Sequence, residues 1–187
     1  MKVLLLLFAI LMPVDEAKRD PSFVAYRDLL LETIHNRDEA GLVKLVDPKI
    51  RTSFGDGGGA ADLRKHLDWK ELEWVVSHGG SWQAETFCAP YVYSKWPDSV
   101  DSFQGFAVTG KGVALRSSPK TGRVLTRLDY DVVTIAGAEQ KGWRKVKTSG
   151  GKVGWISSDY LRSPVGYRAC FGKTPDGWKM QLFVKGD

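Results

Sequence analysis

Hydrophobic positions along the chain change their period part-way. After Asp20-Pro21, Phe23, Tyr26, Leu30 and Ile34 recur at helical spacing, and Asp20 with Pro21 forms a capped helix start. The run His35-Asn36-Arg37-Asp38 breaks the pattern, and Asp38 can cap a second short helix carrying Leu42, Val43, Leu45 and Val46. Asp47-Pro48 is expected to end it, because a residue before proline avoids helical geometry. The glycine-rich stretch Phe54 to Gly59 reads as a loop, and Ala60 to Leu67 as a third helix with Leu63 and Leu67 on one face. Beyond this the pattern turns strand-like. Glu71 to Val76 and Glu85 to Ser94 are rich in aromatic and β-branched residues and are expected as strands. Pro90 implies an edge or a bulge.

From Phe106 to Leu161 short apolar runs alternate with turn signals, the pattern of a small barrel or sandwich. Val113 and Leu115 share one strand face, and Val133 and Ile135 another. Arg144 lies on the face of Val146, so Trp143 leans to the other side. Gly154 has no side chain and admits a neighbouring backbone or the Trp143 ring. Ser157-Ser158-Asp159 suits a short 3₁₀ turn that returns Tyr160 and Leu161 to the barrel. Two further strands, Gly166 to Phe171 and Trp178 to Val184, flank Pro175-Asp176-Gly177 and predict a hairpin.

Residues 106 to 162 carry an ordered set of features. These are Val113-Ala114-Leu115-Arg116, Ser117-Ser118-Pro119, Gly142-Trp143-Arg144-Lys145-Val146, Gly154-Trp155-Ile156 and Tyr160-Leu161. In this order they resemble the bacterial Src-homology-3-like domain, over under a third of the chain. The resemblance implies a five-stranded barrel without catalytic machinery that binds cell-wall polymer or peptide. The groove residues it implies are Tyr130, Trp143, Trp155 and Tyr160, whose alternative role is to fill the barrel core.

The flanks, residues 18–104 and 164–187, are read as one α+β host, with the barrel at 105–163 inserted in it or appended to it. Helices followed by a sheet ending in a Gly-Trp strand loosely resemble nuclear-transport-factor-2-like folds, which favours α+β.

The first residues change the setting. Lys2 precedes ten unbroken apolar residues, Val3 to Met12, ended by Pro13. That is short of the roughly 20 that span a bilayer. It reads as a secretory signal peptide over residues 1–17, with Ala17 as the last residue, although Asp15 is a poor cleavage-site residue. An uncleaved N-terminal anchor is the alternative. Export to the periplasm or beyond fits the two cysteines, Cys88 and Cys170, as one disulfide, with buried free thiols as the alternative.

Charge is concentrated. Residues 106–162 hold eleven Lys and Arg against four acids, a net of +7, while the chain as a whole is +5. Such a segment is drawn to anionic surfaces, with an ordinary solvated surface as the alternative. Nucleic acid as a partner conflicts with export and is set aside.

Nothing in the motifs points to catalysis. His35, His66 and His78 lack partners at metal-ligand spacing, and no Cys-x-x-Cys, Gly-x-Ser-x-Gly or phosphate-loop motif occurs. No cofactor and no metal is expected. The favoured reading is a non-enzymatic exported protein whose barrel recognises peptidoglycan, a peptide or an envelope protein. The alternative is a small hydrolase or ligand-binding host with the barrel as targeting module. A host pocket lined by His66 or His78 with an acid would favour that alternative.

Overall fold

A computed structural model describes residues 9–55 and 58–186. Its helices are α1 (Pro21–His35), α2 (Glu39–Leu45), α3 (Ala60–His66), α4 (Trp69–Ser77) and α5 (Tyr91–Ser94). Its strands are β1 (Val46–Arg51), β2 (Ser81–Gln83), β3 (Thr86–Ala89), β4 (Gly105–Val108), β5 (Val113–Arg116), β6 (Val124–Leu128), β7 (Val132–Ile135), β8 (Trp143–Thr148), β9 (Val153–Ser157), β10 (Leu161–Arg162), β11 (Arg168–Thr174) and β12 (Gly177–Val184). Among the described residues no helix is long and apolar enough to cross a membrane. The chain is α+β and forms two compact units. One holds residues 13–95 and 165–186, the other residues 96–164 with residues 9–12.

In the helix-and-sheet unit five strands run in the order β1-β12-β11-β3-β2. Asp20 caps α1 through its side chain, accepting from the backbone N–H groups of Ser22 and Phe23. The buried apolar residues of α1, Phe23, Tyr26, Leu30 and Ile34, follow the predicted spacing. Phe23 sits among aromatic rings, 4.5 Å from Phe87, 5.1 Å from Trp178 and 5.5 Å from Phe171 between centroids. The Tyr26 hydroxyl donates to the Leu45 carbonyl. Burial raises its pKa, so the phenol stays neutral. Cys88 and Cys170 stand opposite each other on β3 and β11 and form a disulfide.

Several expectations are corrected here. Glu71 to Val76 is not a strand but lies in α4. Leu72, Val75 and Val76 form its buried face at helical spacing, and Asp68 caps it by accepting from Lys70 and Glu71 N–H. Periodicity outweighed the β-branched and aromatic composition. The expected strand Glu85 to Ser94 divides at Pro90 into β3 and the short α5. Val46 does not end α2 but begins β1, which pairs in parallel with β12. Pro48 is tolerated because β1 is an edge strand, and the register shifts between Val46 and Arg51.

The segment read as a leader is described only in part: residues 1–8 lie outside the described residues, and residues 9–17 make the following contacts. In the strand-rich unit Ala9 O accepts from Val132 N at 2.7 Å, Leu11 N donates to Tyr130 O at 2.8 Å, and Leu11 is buried. In the helix-and-sheet unit Val14 O accepts from Gly80 N, and Asp15 pairs with Arg27 at 2.8 Å. Ala17 is fully buried there.

The strand-rich unit differs in size from the expected five-stranded barrel. Its sheet has seven strands in the order β10-β4-β7-β8-β9-β5-β6. The additions are β4 and the two-residue β10, which pair with each other. Their apolar runs are too short to register as separate strands in the sequence. The core comprises Val108, Val113, Leu115, Leu128, Val133, Val146, Ile156 and Leu161. The close approach at Gly154 comes from β5, not from the Trp143 ring. A Cβ there would lie 2.7 Å from the Arg116 carbonyl oxygen and 2.8 Å from Leu115 Cγ.

Candidate functional site

Alternation along β5 builds the first wall of a groove in the strand-rich unit. Val113 and Leu115 point into the core, so Ala114 and Arg116 point outward. β6 lies antiparallel beside it and places Arg127 opposite Ala114. On the other side Trp143 of β8 pairs with Ser157 of β9. Ser157 is followed by a 3₁₀ turn, Ser158–Tyr160, which leaves Tyr160 half exposed at 51 %. Lys111, Arg116, Arg127, Trp143, Ser157 and Tyr160 thereby line a cavity of about 240 Å³.

The groove is basic. Arg116 Nη1 donates to Gly122 O at 3.0 Å, and Arg127 Nη1 to Gly112 O at 2.7 Å. Backbone carbonyls orient both guanidinium groups without neutralising them. Among the described residues no carboxylate lines the cavity. Asp129 is engaged nearby, accepting from Gly112 N. The combination is three cations beside two aromatic rings, in a groove too small to enclose a drug-sized molecule, for which pockets of roughly 300 Å³ or more are usual.

Of the four residues singled out in the sequence, the groove brings together Trp143 and Tyr160. Trp155 is half-buried, paired with Lys145 and Arg116 across the sheet, and does not line it. Tyr130 sits at a bend with φ of 59°, its N–H donating to Gly110 O, and is also outside the groove. Burial raises the pKa of the adjacent Asp131 carboxyl, partly offset by the hydrogen bond it accepts from Asp129 N. Sequence reasoning missed Lys111, Arg116 and Arg127. The alternation that turns Val113 and Leu115 inward was enough to turn Arg116 outward.

The histidines fall in the other unit. His35 ends α1 and is exposed. His78 stacks on Trp74 at 4.1 Å between ring centroids. His66 lies with Asp62 on the wall of a separate cavity of about 660 Å³, with 3.3 Å between His66 Nδ1 and Asp62 Oδ1. Among the described residues no three His, Cys, Asp or Glu side chains converge as a metal site would require.

A family model for the bacterial SH3 domain matches residues 111–162, which span β5 to β10 and contain every residue named for the groove. No curated protein matches the chain.

Proposed function

We propose that residues 111–162 are a non-catalytic binding module for an anionic ligand of the cell envelope, peptidoglycan or an acidic peptide. The observation that carries this reading is the groove itself, with Trp143 and Tyr160 beside Lys111, Arg116 and Arg127 and, among the described residues, no lining carboxylate. Aromatic faces accept the apolar side of a sugar or an extended peptide. Guanidinium groups pair bidentately with carboxylates such as those of peptidoglycan stem peptides. The similarity to bacterial SH3 domains, commonly cell-wall binding modules, supports the same reading. The Cys88–Cys170 disulfide supports a periplasmic or secreted location, because such bonds persist in oxidising compartments.

The test is co-sedimentation of the full chain with purified peptidoglycan sacculi at low and high salt. Binding is expected to survive high salt and to weaken about tenfold on Trp143→Ala with melting unchanged. Binding that salt abolishes and Trp143→Ala leaves alone would reduce the groove to a basic surface.

A second reading has its own support. The helix-and-sheet unit is a ligand-binding domain, for which the cavity lined by His66 and Asp62 is the observation.

A further inference from the structure

The cavity of the helix-and-sheet unit lies between the loop after β1, the inner face of α3 and the ends of the β11–β12 hairpin. Its walls are apolar and largely aromatic. Tyr167, just before β11, stacks on Phe183 of β12 at 5.0 Å with 15° between the planes. Leu63 of α3 and Phe54 of the loop face the same space. At about 660 Å³ it falls in the roughly 300–1,000 Å³ range of small-molecule sites, unlike the groove of the strand-rich unit.

Its polar groups are asymmetric. Asp62, the acid on the lining among the described residues, is engaged on both oxygens. Oδ2 accepts from the Thr52 hydroxyl, and Oδ1 faces His66 Nδ1. The cations are differently held. Lys185 Nζ stands 5.1 Å from the Tyr167 ring centroid and lines the cavity. Arg168 and Arg51 stand over the Phe54 ring at 5.1 and 5.5 Å. Arg168 is buried and donates to the carbonyls of Gly166 and Gly186, and no ion pair joins it to a carboxylate among the described residues. Cation–π contacts and carbonyls stabilise these charges without cancelling them. An anion entering here would meet a positive field over an aromatic floor.

We infer that this cavity is a binding site for a small organic anion with an aromatic or bulky apolar body and one acidic group, the body against Phe54, Leu63, Tyr167 and Phe183 and the acid at Lys185. The inference rests on the second reading above, ligand binding by this unit, and is independent of the groove.

The probes are 1-anilinonaphthalene-8-sulfonate and its uncharged counterpart N-phenyl-1-naphthylamine, added to the full chain and followed by fluorescence. The sulfonate is expected to bind saturably at one site and more tightly than the neutral probe. Lys185→Glu and Phe54→Ser should each weaken it by about tenfold or more. Lys173→Glu, beside the separate Trp82–Trp178 depression, and Trp143→Ala in the groove should leave it unchanged. Lys185 and Phe54 are exposed, so thermal melts of both variants should match the parent. Equal affinity for both probes, each lost in Phe54→Ser, would leave ligand binding standing and overturn the preference for anions. No saturable binding of either probe, or binding indifferent to Phe54→Ser, would overturn the site and the second reading with it.

Discussion

Glu16 illustrates how much a single side chain does in the stretch whose sequence reads as a leader. Its carboxylate meets Lys95 Nζ at 2.9 Å and accepts from Trp82 N at 3.1 Å, while its backbone carbonyl accepts from the Trp82 indole N–H. The Lys95 contact first, then the Trp82 N–H, lower its pKa below the ordinary 4.5. A depressed carboxylate stabilises the fold above its unfolded value, and that contribution is lost as pH falls through the folded value. Melting temperatures of the parent and of Glu16→Gln should therefore differ most near neutrality and converge as pH falls below 4.5. A gap that stays constant through that interval would show that ionisation of Glu16 is not what stabilises the contact. Gly154 makes the complementary point. Its need for a missing side chain was legible in the sequence, but the group that uses the space, the Arg116 carbonyl, is brought there by the β5–β9 pairing.

Among the elements, α4 was the hardest to read. Trp69, Trp74, Val75 and Val76 suit a strand by composition, yet Leu72, Val75 and Val76 fall on one helical face and Asp68 caps the start. Losing an N-cap side chain costs about 0.5–2 kcal/mol. Asp68→Ala is expected to lower the unfolding free energy by that amount in denaturant titration, and Asp68→Ser to restore most of it. An alanine variant as stable as the parent would mean that tertiary packing alone holds α4. Helix α1 was legible because cap, first-turn proline and apolar spacing all agree. Strand β1 was not, because Pro48 signals a break, and only its place at the sheet edge removes the penalty.

Across the whole molecule, the Cys88–Cys170 bond joins β3 to β11 over a sequence separation of 82, and residues 96–164 of the strand-rich unit lie within the loop it closes. Closing so long a loop restricts the unfolded chain, and the chain-entropy estimate is about 4–5 kcal/mol. The double variant Cys88→Ser/Cys170→Ser is expected to lose stability of that order, with a clear drop in melting temperature. A melt matching the parent would place the restraint on the unfolded chain elsewhere.

What the sequence by itself determined is local or periodic. It covered the capped α1 and α2, the β11–β12 hairpin, the basic character of residues 106–162 and the SH3-like order of Trp, Gly and Tyr-Leu features. Each of these depends on neighbours a few residues apart, or on charges that can be counted along the chain. Tertiary structure decided the rest. Seven strands replace five because β4 pairs with β7 on one side and with the two-residue β10 on the other. Residues 9–17 join the fold because Asp131, Gly80 and Arg27, far along the chain, offer partners. The groove takes Trp143 and Tyr160 but leaves out Trp155 and Tyr130, since which outward face an aromatic shares with Arg116 and Arg127 depends on cross-strand register. The second cavity gathers Phe54, Asp62, Tyr167 and Lys185 from segments over a hundred residues apart. No local pattern encodes that meeting, because only packing of the completed sheet brings those segments together.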